Sequence, residues 1–149
     1  MLHYKQRSSY DCFLASICTI LQEDVYDKWP VSFVEDIEAK KGTHGPVIDK
    51  AFGFLGLVRD RDYWCQYIPE TMSGSPIIMN LLMGRRVIVQ TPSLNHEGSY
   101  HVVPVINGKV LDPSNLQVYR WVRQLSPAYV WLFNEVKETP DLRSALIAQ

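Results

Sequence analysis

One stretch of the chain is suited to nucleophilic chemistry: Gln6-Arg7-Ser8-Ser9-Tyr10-Asp11-Cys12-Phe13-Leu14-Ala15-Ser16-Ile17-Cys18-Thr19-Ile20-Leu21. The thiolate, not the thiol, is the nucleophile. A helix N-terminus or a neighbouring imidazolium lowers a cysteine pKa from about 8.5 towards roughly 3.5 to 7.5. Asp11 is a good N-cap, because its short carboxylate can accept from the free N–H groups of a first turn, and Cys12 then takes the first helical position. Apolar residues at 13, 14, 17, 20 and 21 have helical spacing and predict a helix from Cys12 to Leu21 with one buried stripe. Cys18 falls about 240° round that helix from Cys12, at ~100° per residue, so the two share neither a face nor a ligand. Burial is the default for a cysteine, and Cys18 and Cys65 are assigned to packing.

A reactive thiol needs a base, and the histidines are His3, His44, His96 and His101. His3 lies in a terminal segment expected to fray, and His44 sits in the loop Gly42-Thr43-His44-Gly45-Pro46. His101 opens an apolar run that ends at Ile106. Asn107-Gly108 follows, then Lys109-Val110-Leu111-Asp112-Pro113. Asn-Gly between two apolar runs signals a two-residue type I′ hairpin. The register this predicts pairs 106 with 109, 105 with 110, 104 with 111 and 103 with 112. His101 and Asp112 then share a face as diagonal neighbours. A carboxylate behind an imidazole fixes its tautomer and stabilises the imidazolium. Asp112 also begins Asp112-Pro113-Ser114-Asn115, where it can serve simply as a turn residue. His96 and His101 are five apart with Gly98 between them, which does not fit the helical zinc-protease pattern, so no metal site and no cofactor are expected.

Gln6, four intervening residues, Asp11-Cys12 opening an apolar helix, a histidine beginning an apolar strand, and a strand ending in Asp-Pro together resemble the papain-like cysteine peptidases. The likeness is strongest to the double-glycine leader peptidases, whose domains precede the membrane parts of bacteriocin-exporting transporters, and to their stand-alone relatives. It covers roughly the first 20 residues and positions 84 to 113. The resemblance implies Cys12 as nucleophile, His101 as base and acid, Asp112 as orienter and Gln6 as oxyanion donor, joined by the Cys12 backbone N–H. One departure stands out: that family usually carries glycine after the cysteine, whereas this chain has Phe13, expected to narrow the cleft or to mark an altered function.

The rest of the chain must position these residues. With 149 residues, 46% apolar and 21% charged, it suits one domain over 1–149 with a sizeable core. A formal net charge of −1 gives no field favouring nucleic acid. Three widely spaced cysteines do not make a disulfide framework, and with no signal core and no spanning segment the reading is a soluble, cytoplasmic protein. Trp29 anchors the connector from Gln22 to Pro30. Ser32-Phe33-Val34-Glu35 has the form of a capping box before a helix running to about Lys41. Pro46 suits the first position of a helix over Val47 to about Leu55, with Phe52 and Leu55 inward. Val58 to Trp64 reads as a strand or sheet edge, Ile77 to Met83 as a short helix capped at Ser75-Pro76, and Arg86 to Thr91 as a central strand. Leu116 to Val122 is mixed aromatic and polar. Tyr129 to Phe133 is a further central strand, and Glu138 to Gln149 a short polar helix or loose tail.

Helices first and strands afterwards make the fold class α+β, and the resemblance makes it papain-like, with N-terminal helices packed on an antiparallel β-sheet. The function expected is a thiol-dependent hydrolase acting on a peptide or protein substrate, or a related amide, through an acyl-enzyme on Cys12. Phe13 supports the alternative, a papain-like domain that has lost activity and binds a protein partner.

Overall fold

The computed structural model describes residues 2–41, 45–56, 64–68, 86–92, 100–120 and 128–132. Three helices come first, α1 (Cys12–Leu21), α2 (Val31–Ala39) and α3 (Gly45–Gly53), with a 3₁₀ turn at Tyr26–Lys28 between α1 and α2. Six strands follow: β1 (Trp64–Ile68), β2 (Arg86–Pro92), β3 (Tyr100–Ile106), β4 (Lys109–Leu111), β5 (Val118–Arg120) and β6 (Ala128–Leu132). They form one sheet in the order β1-β6-β2-β3-β4-β5, and every neighbouring pair is antiparallel. The architecture is α+β, with helices and strands segregated along the chain as expected.

β2 lies inside the sheet between β6 and β3, and Val87, Ile88 and Val89 are all buried although their side chains alternate between faces. A β-branched run buried on both sides is what an interior strand requires. Ile88, Ile106 and Leu111 share one core with Phe13, Leu14, Ile17, Cys18 and Ile20 of α1, and this helix packs directly on β3 and β2. Tyr26, Trp29, Ile37 and Phe52 extend the same core under α2 and α3. Trp29 is buried, and its indole N–H donates to the Ala51 carbonyl at 2.9 Å, the anchoring role expected of it.

α1 has the predicted bounds but not the predicted single stripe, for every residue from Phe13 to Ile20 is buried. Its polar members are satisfied inside. Ser16 Oγ donates to the Cys12 carbonyl at 2.7 Å and to the Val102 carbonyl of β3 at 3.3 Å, and Thr19 Oγ1 accepts from the Tyr4 N–H at 3.0 Å. Arg86 reaches from β2 to donate to the Ile20 carbonyl at 2.8 Å, satisfying an acceptor that the helix end leaves over. α1 is therefore a central helix fixed at several points rather than one lying on the surface.

Two local expectations are corrected. The capping box at Ser32 does not form: Ser32 lies inside α2, Pro30 occupies the cap position, and the Pro30 carbonyl accepts from the Phe33 and Val34 N–H groups at 2.9 and 3.2 Å. Proline's fixed φ makes the turn without a side-chain cap. α3 begins at Gly45, so Pro46 is its second residue; Phe52 is buried and Leu55 packs against the core. The charged stretch before Trp64, the helix expected at Ile77 to Met83 and the tail from Glu138 lie outside the described residues.

Candidate active site

The β3–β4 hairpin follows from its turn. Asn107 and Gly108 have φ of +52° and +79°, as a type I′ turn demands at both central positions, and Val105 pairs with Val110 and Ile106 with Lys109. That is the register expected from Asn-Gly, and it brings His101 Nε2 to 2.9 Å from Asp112 Oδ1. The same carboxylate oxygen accepts from the Ser114 N–H at 2.9 Å and the Ser114 hydroxyl at 2.7 Å. Asp112 thus holds the turn that follows it and backs the imidazole at once. The side chains are 22% and 10% exposed for His101 and Asp112, so the pair is shielded without being sealed from solvent.

The first residue of α1 joins the constellation, because the Cys12 thiol lies near enough to His101 to act on its charge. With Nε2 committed to Asp112, Nδ1 is the ring nitrogen left for another partner. Burial works against a charge on the imidazole, but the hydrogen bonds to Asp112 and Cys12 and their electrostatic attraction outweigh it, raising the His101 pKa from 6.5 to about 9. Burial likewise opposes the Asp112 carboxylate. The hydrogen bonds from His101 and Ser114 prevail, and its pKa falls from 3.8 to about 2. At neutral pH the two are an imidazolium and a carboxylate.

Asp11 precedes Cys12 at the cap position of α1 but makes no side-chain cap hydrogen bond. Its carboxylate turns backwards, accepting from the Arg7 N–H at 3.1 Å to each oxygen, from the Ser8 N–H at 2.9 Å and from the Tyr26 hydroxyl. The expected cap is therefore a loop clamp: the 6–11 segment curls round a buried carboxylate and offers it two backbone donors. The first N–H groups of α1, including that of Cys12, keep no intrahelical acceptor and remain available to an anion.

Gln6 lies in this loop. Its amide Nε2 donates to the Ser8 carbonyl at 2.8 Å, Oε1 is buried without a partner, and its backbone N–H donates to the Pro113 carbonyl at 2.8 Å. An amide nitrogen carries two hydrogens, so one remains for a ligand. His3, expected to fray, instead has Nε2 at 2.8 Å from the Asp112 carbonyl. Sequence reasoning missed this contact and those of Tyr26 and Ser114. Only Ser114 had a local signal, two residues after an aspartate in a turn.

Phe13, expected to narrow the cleft, points the other way. It is 1% exposed and packs edge-on against Phe52, ring centres 6.2 Å apart. On a helix buried all round, the residue after Cys12 faces the core. Cys18, as assigned, is packing: fully buried, with its thiol pushed up to about 11 mainly by burial. Among the described residues no cluster of three or more His, Cys, Asp or Glu is placed to hold a metal ion, and no helix is long and apolar enough to cross a membrane. No protein-family model matches the chain, and no curated protein or solved structure is detectably similar to it.

Proposed function

We propose that the chain is a thiol-dependent hydrolase of papain-like architecture that cleaves a peptide or related amide bond through an acyl-enzyme on Cys12. The observation that carries the reading is the 2.9 Å pairing of the His101 imidazole with the buried Asp112 carboxylate, with the Cys12 thiol near enough to act on the ring's charge. The Cys12 sulfur attacks the carbonyl carbon, and the carbonyl π pair moves to oxygen, where the Cys12 N–H and the Gln6 amide donate to it. As that oxyanion collapses, the C–N bond breaks and His101 gives its Nδ1 proton to the departing amine. Neutral His101 then takes a proton from water as it attacks the thioester, the acid is released, and the sulfur is restored.

Asp112 orients the ring and supports its charge in both halves of this cycle. The free state of both described thiols, Cys12 and Cys18, suits a reducing compartment such as the cytoplasm. The alternative, an inactive domain that binds a protein partner, drew on the small size of the chain and on Phe13, and the Phe13 side chain lies in the core.

The test is a screen of peptide, acyl and cell-wall amide substrates with wild type beside Cys12→Ala. Turnover by wild type that the variant loses, with an acyl adduct on Cys12 by mass spectrometry, is the expected result. Turnover retained by Cys12→Ala, or a Cys12 that alkylates no faster than Cys18 in the folded protein, would end the proposal.

A further inference from the structure

The mechanism above leaves one buried ionisable cluster unused. Asp11 is 2% exposed, next to the nucleophile, and its carboxylate is served by three donors from outside its own helix. Tyr26 is buried as well. Burial first, and then the hydrogen bond to Asp11, push its phenol above the usual tyrosine range, so it remains a donor. The Arg7 guanidinium lies over the Tyr26 ring at 3.8 Å and pairs with Asp24 at 2.8 Å, closing the loop from outside.

From this cluster a continuous chain of hydrogen bonds leads to Gln6. The Tyr26 hydroxyl and the Ser8 N–H both donate to Asp11, and the Ser8 carbonyl accepts from Gln6 Nε2. The Gln6 carboxamide is therefore aimed by Ser8, and Ser8 is placed by Asp11. We infer that Asp11 and Tyr26 are positioning residues for the oxyanion pocket, holding the 6–11 loop and with it the orientation of the Gln6 amide that would donate to the oxyanion. This rests on the hydrolase reading. It assigns to a tyrosine remote in sequence from Gln6 a share in stabilising the tetrahedral intermediate.

The experiment compares two reactions of the same thiol. Iodoacetamide alkylation displaces iodide from carbon and develops no oxyanion. Acylation by p-nitrophenyl acetate forms the sulfur–carbon bond, develops an oxyanion, and then breaks the ester C–O bond with p-nitrophenolate leaving as the anion. Both rates at Cys12 are measured for wild type, Gln6→Ala, Tyr26→Phe, Asp11→Asn and the Gln6→Ala/Tyr26→Phe double variant, with urea midpoints to monitor folding. Loss of an oxyanion donor costs on the order of 10² to 10³ in turnover, and an ester with so good a leaving group should feel less of it. Gln6→Ala is expected to slow acylation by about tenfold or more, and Tyr26→Phe by about fivefold, while alkylation stays within about twofold.

Tyr26→Phe should add nothing further in the Gln6→Ala background, since it acts through the same group. Full additivity would overturn the inference. So would parallel slowing of both reactions, or acylation unchanged by both Tyr26→Phe and Asp11→Asn while Gln6→Ala slows it. If Gln6→Ala itself leaves acylation unchanged, the oxyanion role of Gln6 fails and the inference with it. If Cys12 alkylates no faster than Cys18 in wild type, the hydrolase reading is what has failed.

Discussion

The two ends of α1 carry a cysteine each, and the helix treats them oppositely. Cys12, at the N-terminus, is partly exposed, lies near enough to His101 to act on its charge and has backbone N–H groups with no intrahelical acceptor beside it. Cys18, six residues on, is fully buried, and burial pushes its thiol up to about 11. The same functional group on the same rigid element is thus partly open to solvent at one end and sealed in the core at the other. A cysteine's chemistry is set by which turn of a helix it occupies and what that turn abuts.

The sharpest way to break this contrast is to remove the imidazole. In the folded protein at pH 7, iodoacetamide should label Cys12 faster than Cys18 by about 10³ or more, since Cys18 reacts only after unfolding has exposed it. His101→Ala should cut the Cys12 rate by on the order of tenfold to a hundredfold, with Cys18 changing only as far as the urea midpoint of the variant moves, as read by mass spectrometry of timed samples. Equal rates at the two thiols in wild type would dissolve the contrast altogether.

Phe13 tests the core side of the same first turn. Phe13→Ala should lower the free energy of unfolding by about 3 to 5 kcal/mol, measured by urea titration, because it empties a buried aromatic site against Phe52. A cleft residue would instead cost little stability and change reactivity at Cys12.

Asp112→Asn should have a smaller effect. Losing the orienting carboxylate of a serine triad costs on the order of 10⁴ in turnover, and a thiol ion pair depends less on its base, so a loss below that is expected. Asparagine can still accept from Ser114, so the turn should survive, and the urea midpoint at pH 7 should fall only by what the lost ion pair with His101 contributes. Full activity in this variant would reduce Asp112 to a turn residue and the triad to a dyad.

The smallest effect concerns pH. The His101 pKa is raised on folding, from 6.5 to about 9, so its contribution to stability is complete below 6.5 and is lost as pH rises through 9. Asp112 is the converse case: its pKa is lowered from 3.8 to about 2, so its contribution is complete above 3.8 and is lost as pH falls towards 2. Urea midpoints should decline gently from neutral to alkaline pH in wild type, and His101→Ala should remove that part of the slope. An unaltered slope would show that the ring carries no shift.

What was legible in the sequence was whatever short-range rules govern. The bounds of α1 follow from apolar spacing, and the register that joins His101 to Asp112 follows from Asn107-Gly108, two residues whose positive φ leaves the hairpin little choice. The interior strands β2 and β6 announced themselves as β-branched and aromatic runs. What was not legible was competition between partners. Asp11 has the composition of a cap and Ser32 that of a capping box, yet Asp11 is claimed by Tyr26 and the Arg7 and Ser8 N–H groups, and Pro30 takes the turn from Ser32. A local rule cannot rank a nearby donor against one that only the folded chain delivers. Phe13 was misjudged for the same reason, since one stripe on a sequence wheel does not show that α1 is enclosed on every side.

The clasp between the first residues and the Asp112-Pro113 turn has a consequence for the order of folding. His3 meets Asp112 across 109 residues, whereas His101 meets Asp112 across 11. Short loops close early and long ones late, so the hairpin carrying the imidazole and carboxylate can form on its own well before the thiol arrives. If Cys12 is the nucleophile proposed, it should therefore stay an ordinary thiol in any nascent or half-refolded chain and become activated only at final closure. Its labelling rate would then serve as a clock for the last step of folding.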